Sequence, residues 1–274
     1  MIQALISLVL TKGSHATREQ GTCILEATAW TAGEPHSDDP KCVDDSIGTF
    51  ARKLNDACWP SDQERTKSLR PVIPLLIGTN DHMDEERMAF IFTDAAIREF
   101  TPIALESMVS FMNVDHAITL QGRAQTLREL SPIVDRATAT AAVNVVLEAV
   151  REVQDGHKAT EDAYYTTHAV LNAAEDIYTT VNAVSKAADD TPAAINSISV
   201  ISAVNAAYET IKTASSNVDV CDIVCDIVHS TIYSIAYTAK AVNVANVNLS
   251  LSVLQSATAL LCYVCKECRL PEAK

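Results

Sequence analysis

Apolar side chains in the second half of the chain recur at helical spacing. The stretches Val170–Ala188, Cys221–Val242 and Leu251–Cys268 all carry small or apolar residues at alternating steps of three and four. Such steps place the side chains on one helix face, as in the seam between packed helices. Three turn signals separate the segments: Asp155-Gly156, the run from Asp189 to Pro192, and the run from Ser215 to Asn217. The pattern predicts long helices in an antiparallel up-down bundle.

The first half has shorter periodic segments, interrupted by glycine and proline. The short, β-branched run Leu5–Leu10 predicts a buried strand. The following segments predict helices at Thr22–Ala32, Asp44–Ala57, Asp62–Ile77 (broken by Pro71 and Pro74), Asp81–Phe100 and Ile103–Met112. The prediction is therefore a mainly α protein. Residues 1–125 form a compact, mostly helical domain with one or two strands, and residues 126–274 form an Ala/Val-rich helical bundle.

Composition supports this fold class. The chain has 274 residues, of which 48% are hydrophobic, and this is enough to bury a substantial core. It has only seven glycines, and none follows Gly156. Because β-sandwiches and barrels need frequent glycine-type turns, the sequence excludes an all-β fold.

Charge limits the choice of partners. The chain has 35 acidic and 21 basic residues, a formal charge of −14, so its field repels nucleic-acid phosphates and anionic lipid. We expect no direct nucleic-acid binding and no membrane association, since no apolar run reaches about 18–20 residues. The acidic surface either only solubilises the helices or meets a basic partner. No basic residue precedes Lys12, which argues against a signal peptide and for a cytoplasmic protein with reduced thiols.

Two cysteine clusters near the C-terminus have the residue types of a metal site. Cys221, Cys225 and His229 are spaced by four, which places them on one helix face, and Cys262, Cys265 and Cys268 resemble the first part of an iron–sulfur run. Four of these cysteines also occupy the helix seams, where a thiol packs as a small apolar group. We expect core packing and no cofactor, with a structural metal or a redox-responsive dithiol as the alternatives.

A polar cluster near the N-terminus holds the candidate catalytic residues. Cys23 follows a glycine turn at the start of a predicted helix, where the dipole lowers the pKa of a thiol. His15 or His36 as base, with Glu26 or Asp38 to orient it, would complete a cysteine hydrolase or transferase. His15, Cys23, His36 and Cys42 would also suffice for zinc. The simpler interpretation is that Cys23 and Cys42 are buried and that the run from Ser37 to Pro40 caps a helix or turn.

The stretch from Leu8 to Thr79 resembles an uncharacterised family of actinobacterial and bacteriophage proteins. The segments that carry the resemblance are Lys12-Gly-Ser-His15, Cys23-Ile-Leu-Glu26, Ala32-Gly-Glu34, Ser37-Asp38-x-Pro40-x-Cys42, Leu54-Asn-Asp56 and Pro74-Leu-Leu-Ile-Gly-Thr79. An Ala-rich helical tail follows this segment in the family too. The family has His where this chain has Asp39, which argues against a site built on that residue. The resemblance implies a bacterial or phage cytoplasmic protein whose specific function lies in the N-terminal segment.

The sequence thus predicts an acidic accessory or regulatory protein that binds a protein partner, with homo-oligomerisation through the bundle as a further expectation. A hydrolase or transferase that uses Cys23 is the alternative, and a metal- or cluster-holding protein is a third. The sequence lacks the glycine-rich nucleotide loops and the His-Glu-x2-His motif, which removes the common nucleotide-binding and zinc-protease classes.

Overall fold

The computed structural model describes residues 7–80, 83–109, 114–135 and 247–270, with scattered positions between 137 and 149 and between 231 and 239. In this part of the chain 69% of residues are helical, and an isolated bridge between Met83 and Arg269 is the β-type pairing found there. The mainly α prediction is confirmed. The predicted seam Val170–Ala188 lies outside the described residues.

Helix α1, Ile24–Ala32, is defined by its two ends. At its start the Cys23 thiol accepts a hydrogen bond from the backbone N–H of Glu26, and the Glu26 carboxylate accepts one from the backbone N–H of Cys23. This reciprocal pair satisfies two of the amides that every helix leaves unbonded in its first turn. At its end Gly33 adopts a φ of 81°, a left-handed conformation that favours glycine.

The next helices also begin at side-chain caps. Asp44 caps α2 (Asp45–Asp56) and Ser61 caps α3 (Asp62–Leu69), each by accepting a backbone N–H three residues later. A 3₁₀ turn at Arg70–Val72 then leads into the short α4, Ile73–Leu76. Pro71 and Pro74 lie in the first turns of these segments, where a missing N–H is least costly. The predicted break at these prolines is confirmed.

A longer helical region follows, with an irregularity in its middle. Asp84 caps α5 (Glu85–Asp94), which continues through a π-helical turn at Ala95–Phe100 into α6, Thr101–Met108. Helix α7 spans Val114–Glu129, and α8 spans Val247–Glu267. π turns are rare, and many of those that occur lie at functional sites.

The C-terminal helix packs into the N-terminal core. One cluster of buried side chains contains Ile24, Phe50 and Phe92 together with Leu254, Leu261 and Val264 of α8. The rings of Phe50 and Phe92 stack with centroids 5.0 Å apart. A second cluster joins Ile97 and α6 to α7 and to positions up to Ala149. The described part of the chain is thus held by two adjoining cores, of which the larger joins residues from Leu8 to Cys268.

The structure differs from the sequence predictions at the N-terminal strand and at helix α7. The strand predicted at Leu5–Leu10 is not confirmed, since Leu8–Leu10 bond to side chains: Leu10 N donates to Thr66 Oγ1 at 2.8 Å, and Arg70 donates to Leu8 O at 2.6 Å. Helix α7 was not predicted. This helix crosses the predicted domain boundary between residues 125 and 126. The division into two domains itself stays a prediction.

The described seam positions near the C-terminus are largely buried. Ile232, Ile235 and Ala239 of the second seam are fully buried, as are Leu254 and Leu261 of the third. Within the described residues, α8 is the helix long and apolar enough to cross a membrane, but half of that stretch is buried inside the protein. The buried half of this stretch packs in the larger core.

Candidate functional site

The Glu26 carboxylate is the centre of the N-terminal polar cluster. Its side chain is 1% exposed, yet it accepts three hydrogen bonds: Oε1 from His15 N at 2.5 Å, and Oε2 from Cys23 N at 2.8 Å and His15 Nδ1 at 3.0 Å. Burial raises the pKa of Glu26, but the N–H donors of Cys23 and His15 outweigh this effect, so its pKa is lowered overall. Glu26 is therefore a buried, ionised anchor for the loop that precedes α1.

His15 connects this anchor to Thr11. Its Nδ1 faces the carboxylate, and its Nε2 lies 3.1 Å from Thr11 Oγ1. The His15 side chain is 12% exposed. Gly21 lies directly against the pair: a Cβ there would approach His15 Nε2 to 2.4 Å and Thr11 Oγ1 to 2.6 Å. Position 21 therefore requires glycine for two reasons. The His15 and Thr11 side chains leave no room for a Cβ, and a φ of +145° is rarely adopted by other residues.

His36 lies on the outer side of the same cluster. Its Nε2 is 2.9 Å from the backbone oxygen of His15 and 3.8 Å from Glu26 Oε1, and its side chain is 24% exposed. The structure therefore brings together all four predicted catalytic residues, His15, Cys23, Glu26 and His36, although they span 22 positions of sequence. Asp38, the other predicted orienting residue, instead presents its backbone oxygen to Arg52 at 2.7 Å.

The Cys23 thiol has the opposite character from that expected of a nucleophile. It is 3% exposed, and burial raises its pKa to about 12 despite its position at a helix start. The thiol also accepts the Glu26 N–H at 3.4 Å as the helix cap. The dipole argument from sequence missed the loss of hydration, which here is the larger effect. Cys23 is a protonated, structural thiol at neutral pH.

The predicted zinc set does not assemble. Cys42 interacts with Glu34, and burial together with this carboxylate raises the pKa of its thiol to about 11. Within the described part of the chain, no three His, Cys, Asp or Glu side chains are arranged to hold a metal ion. The predicted zinc ligands therefore do not form a metal site; these are His15, Cys23, His36 and Cys42.

The C-terminal cysteines are placed in and beside the core. Cys265 and Cys268 are buried, and burial raises the pKa of their thiols to about 12 and about 11; Cys262 is half-buried, with a raised pKa. These three do not form a metal-holding group, and no disulfide joins the cysteines of the described segments. Cys221, Cys225 and His229 lie outside the described residues.

Two polar side chains that the sequence analysis did not choose as site residues, Asn55 and Asp56, hold the same loop in place. Asn55 is fully buried; its Nδ2 donates to Thr11 O at 2.9 Å, and its Oδ1 accepts from Ile24 N at 3.2 Å. Asp56 Oδ1 accepts from Gly13 N at 2.8 Å. The sequence signal was present, because asparagine and aspartate stand together at the end of an otherwise apolar helix face. Loops fixed in this way by a rigid scaffold often carry function.

A surface cavity lies on another part of the molecule, beside the π turn. Its volume is about 440 Å³. The lining residues are Ile91, Asp94, Ala95, Arg98, Glu99, Pro132, Ile133, Val134, Leu260 and Tyr263. They come from α5, the π turn, the loop after α7, and α8, so the cavity exists only when these distant segments pack together. The sequence analysis singled out none of these residues as a site.

Asp94 fixes the shape of this cavity. Its carboxylate accepts from Arg98 Nη1 at 3.0 Å and 3.1 Å, and from the backbone N–H of Ile133 at 2.8 Å. Val134 and Tyr263, which line the cavity, are 67% and 50% exposed and form its accessible rim. The cavity combines a fixed polar wall with an apolar, accessible rim.

Comparison with known proteins gives no relative: no protein-family model, no curated protein and no solved structure matches the chain.

Proposed function

We propose that this chain is an acidic accessory or regulatory protein that acts by binding a protein partner. The observation that carries the proposal is the cavity beside the π turn, with Val134 and Tyr263 exposed at its rim. Aromatic anchors and accessible apolar side chains around a concave site are typical of protein interfaces. In keeping with the family resemblance, we place the protein in a bacterial or phage cytoplasm.

The charge of the cavity defines the partner's chemistry. Arg98 is already paired with Asp94, and Glu99 adds an exposed carboxylate beside them. The whole chain carries a formal charge of −14. Charges of opposite sign steer association, so the partner we propose presents an apolar or aromatic side chain flanked by lysine or arginine.

The alternatives have weaker support. A Cys23 nucleophile would need a thiolate, whereas burial raises the pKa of that thiol to about 12. Within the described residues no group of side chains is arranged to hold a metal ion, and the predicted ligands Cys221, Cys225 and His229 lie outside them. The antiparallel bundle in the second half remains part of the proposal, supported by the buried seam positions Ile232, Ile235 and Ala239. Homo-oligomerisation through surfaces of that bundle away from the cavity stays a prediction.

The proposal is tested by site-specific photo-crosslinking in the native host cell. A benzophenone amino acid replaces Val134 at the cavity rim or, as the matched control, Ile118, which is 64% exposed on α7. We expect one discrete crosslinked product from position 134 and none from position 118. Tyr263→Ala in the same chain should reduce its yield, because the anchor at the rim is lost.

Two results would contradict partner binding at the cavity. One is equal, diffuse crosslinking from both positions, which would indicate random collisions. The other is a product of twice the chain's own mass, which would assign the cavity to self-association.

A further inference from the structure

Thr11, His15 and Glu26 form a connected hydroxyl–imidazole–carboxylate relay. Thr11 Oγ1 lies 3.1 Å from His15 Nε2, and His15 Nδ1 lies 3.0 Å from Glu26 Oε2. Both distances are within the range expected for a nucleophile, its base and the group that orients the base. We propose that Thr11 is an acyl-accepting nucleophile, with His15 as its general base, in an esterase or acyltransferase activity. This inference does not depend on partner binding at the cavity.

One placement of the protons suits general-base catalysis at this relay. Glu26 accepts N–H groups from Cys23 and His15 while fully buried, so it holds its negative charge and accepts from His15 Nδ1. When Nδ1 carries the only ring proton, Nε2 has a lone pair and accepts. The Thr11 hydroxyl, which also has Thr22 O at 3.5 Å, then donates to His15 Nε2 across the 3.1 Å contact, as a general base requires.

The backbone around Thr11 favours negative charge on its oxygen. The N–H of Thr22, just before α1, donates to Thr11 Oγ1 at 3.0 Å. An N–H that donates to the hydroxyl oxygen stabilises the negative charge that this oxygen gains as its proton moves to His15. Asn55 fixes the Thr11 backbone by donating to its carbonyl oxygen at 2.9 Å. The hydroxyl is therefore held in place from two sides.

Access to the relay restricts the acyl group. Thr11 is half-buried, the His15 side chain is 12% exposed, and Gly21 lies against both. Lys12 and Ser14 beside them are exposed. This geometry favours a small, unbranched acyl group, such as acetyl, whose leaving group stays in solvent.

The reaction balances with water as the only co-reactant. Thr11 Oγ1 attacks the ester carbonyl carbon and its proton moves to His15 Nε2. The bond from carbonyl carbon to leaving oxygen then breaks, and the leaving oxygen takes that proton. Water next attacks the acyl-threonine, again giving a proton to His15, which returns it to Thr11 Oγ1 as the acid is released. Glu26 only positions the imidazole.

The test uses p-nitrophenyl acetate and the full-length chain. We expect release of nitrophenolate and an acetyl group on Thr11, located by mass spectrometry of the native protein. Thr11→Val should slow nitrophenolate release by roughly 10²-fold or more, whereas Thr11→Ser should retain activity. Ser14→Ala, which removes the neighbouring exposed hydroxyl, should leave the rate unchanged. Glu26→Gln should slow release, and Glu26→Asp, which keeps the carboxylate, should recover part of the rate.

The inference is overturned if acetylation of the native protein misses Thr11 or occurs equally at Ser14 and surface lysines. It is also overturned if Thr11→Val and native protein release nitrophenolate at the same rate. Because the location of the acetyl group is read from the native protein, failure of a variant to fold leaves the test intact.

Discussion

At the scale of single residues, Glu26 does more than orient a histidine, because its carboxylate accepts three hydrogen bonds. The sequence analysis chose it to orient a histidine, and the structure places it 3.0 Å from His15 Nδ1. The same carboxylate also caps α1 and holds the backbone of His15. The residue types therefore predicted the members of the cluster, but not its centre. Burial, which no local pattern reveals, keeps the thiol of Cys23 protonated. Glu26 stays charged despite its burial, because Cys23 and His15 donate hydrogen bonds to its carboxylate.

Replacing Glu26 tests this role. Glu26→Gln removes a buried carboxylate that accepts three hydrogen bonds, and we expect the free energy of unfolding at pH 7 to fall by roughly 2–4 kcal/mol. Urea denaturation measures the change. Glu34→Gln is the matched control, because Glu34 is less buried; Oε2 accepts Lys41 N at 2.8 Å, and we expect a loss of less than about 1 kcal/mol.

The effect of Glu26→Gln should also depend on pH. The pKa of Glu26 is lowered in the folded protein, so its contribution is present above the unfolded value of about 4.3 and is lost as pH falls through the folded value. The difference in unfolding free energy between native protein and Glu26→Gln should therefore narrow as pH falls below about 4.3 and through the lower folded value. A gap that stays constant or widens over that range would show that Glu26 is not a buried carboxylate in the folded state.

At the scale of elements, the sequence predicted helices best where the signals were local. The starts of α2 and α3 follow from Asp44 and Ser61, whose side chains accept the unbonded N–H groups of their own first turns. Helix α7 was not predicted because its buried face is narrow. The apolar side chains of Leu120, Ala124 and Leu127 are buried, whereas those of Val114 and Ile118 are exposed. The π turn was also unpredictable, since packing rather than local propensity selects it.

The junction between α4 and α8 provides a test at this scale. Arg269, just after α8, donates from Nη2 to Leu75 O at 3.1 Å and to Ile77 O at 3.0 Å. These carbonyls belong to the end of α4, where the helix cannot satisfy them itself. Arg269→Ala should lower the free energy of unfolding by about 0.5–1 kcal/mol in urea denaturation.

The control for Arg269 is an exposed ion pair on the same helix end. Arg87 and Glu267 approach to 3.3 Å with both side chains about half exposed. Arg87→Ala should change stability by less than about 0.5 kcal/mol, as exposed ion pairs contribute little. Equal losses in Arg269→Ala and Arg87→Ala would argue against specific capping of α4 by Arg269.

At the scale of the whole molecule, fold class was predictable and the assembly of sites was not. Scarce glycine and the three-four spacing of apolar residues predicted a mainly α protein, and the described part of the chain is 69% helical. Neither feature indicates that α8 shares a core with residues near the N-terminus. The cavity depends on that long-range packing, because Leu260 and Tyr263 of α8 form one of its walls. Sequence periodicity predicts faces of helices but not the partners of those faces.

The central claim is that the rim of this cavity binds a basic protein partner. It is tested most directly by the dissociation constant of the purified chain for the protein recovered by crosslinking at position 134. Val134→Lys should weaken binding at least about tenfold, equivalent to about 1.4 kcal/mol, because it removes an apolar contact and adds a charge of the partner's own sign. Ile118→Lys, the matched change away from the cavity, should weaken binding much less. Added salt should weaken binding of the native chain as well. Equal affinities for native protein and Val134→Lys, with no dependence on salt, would contradict binding of a basic partner at this rim.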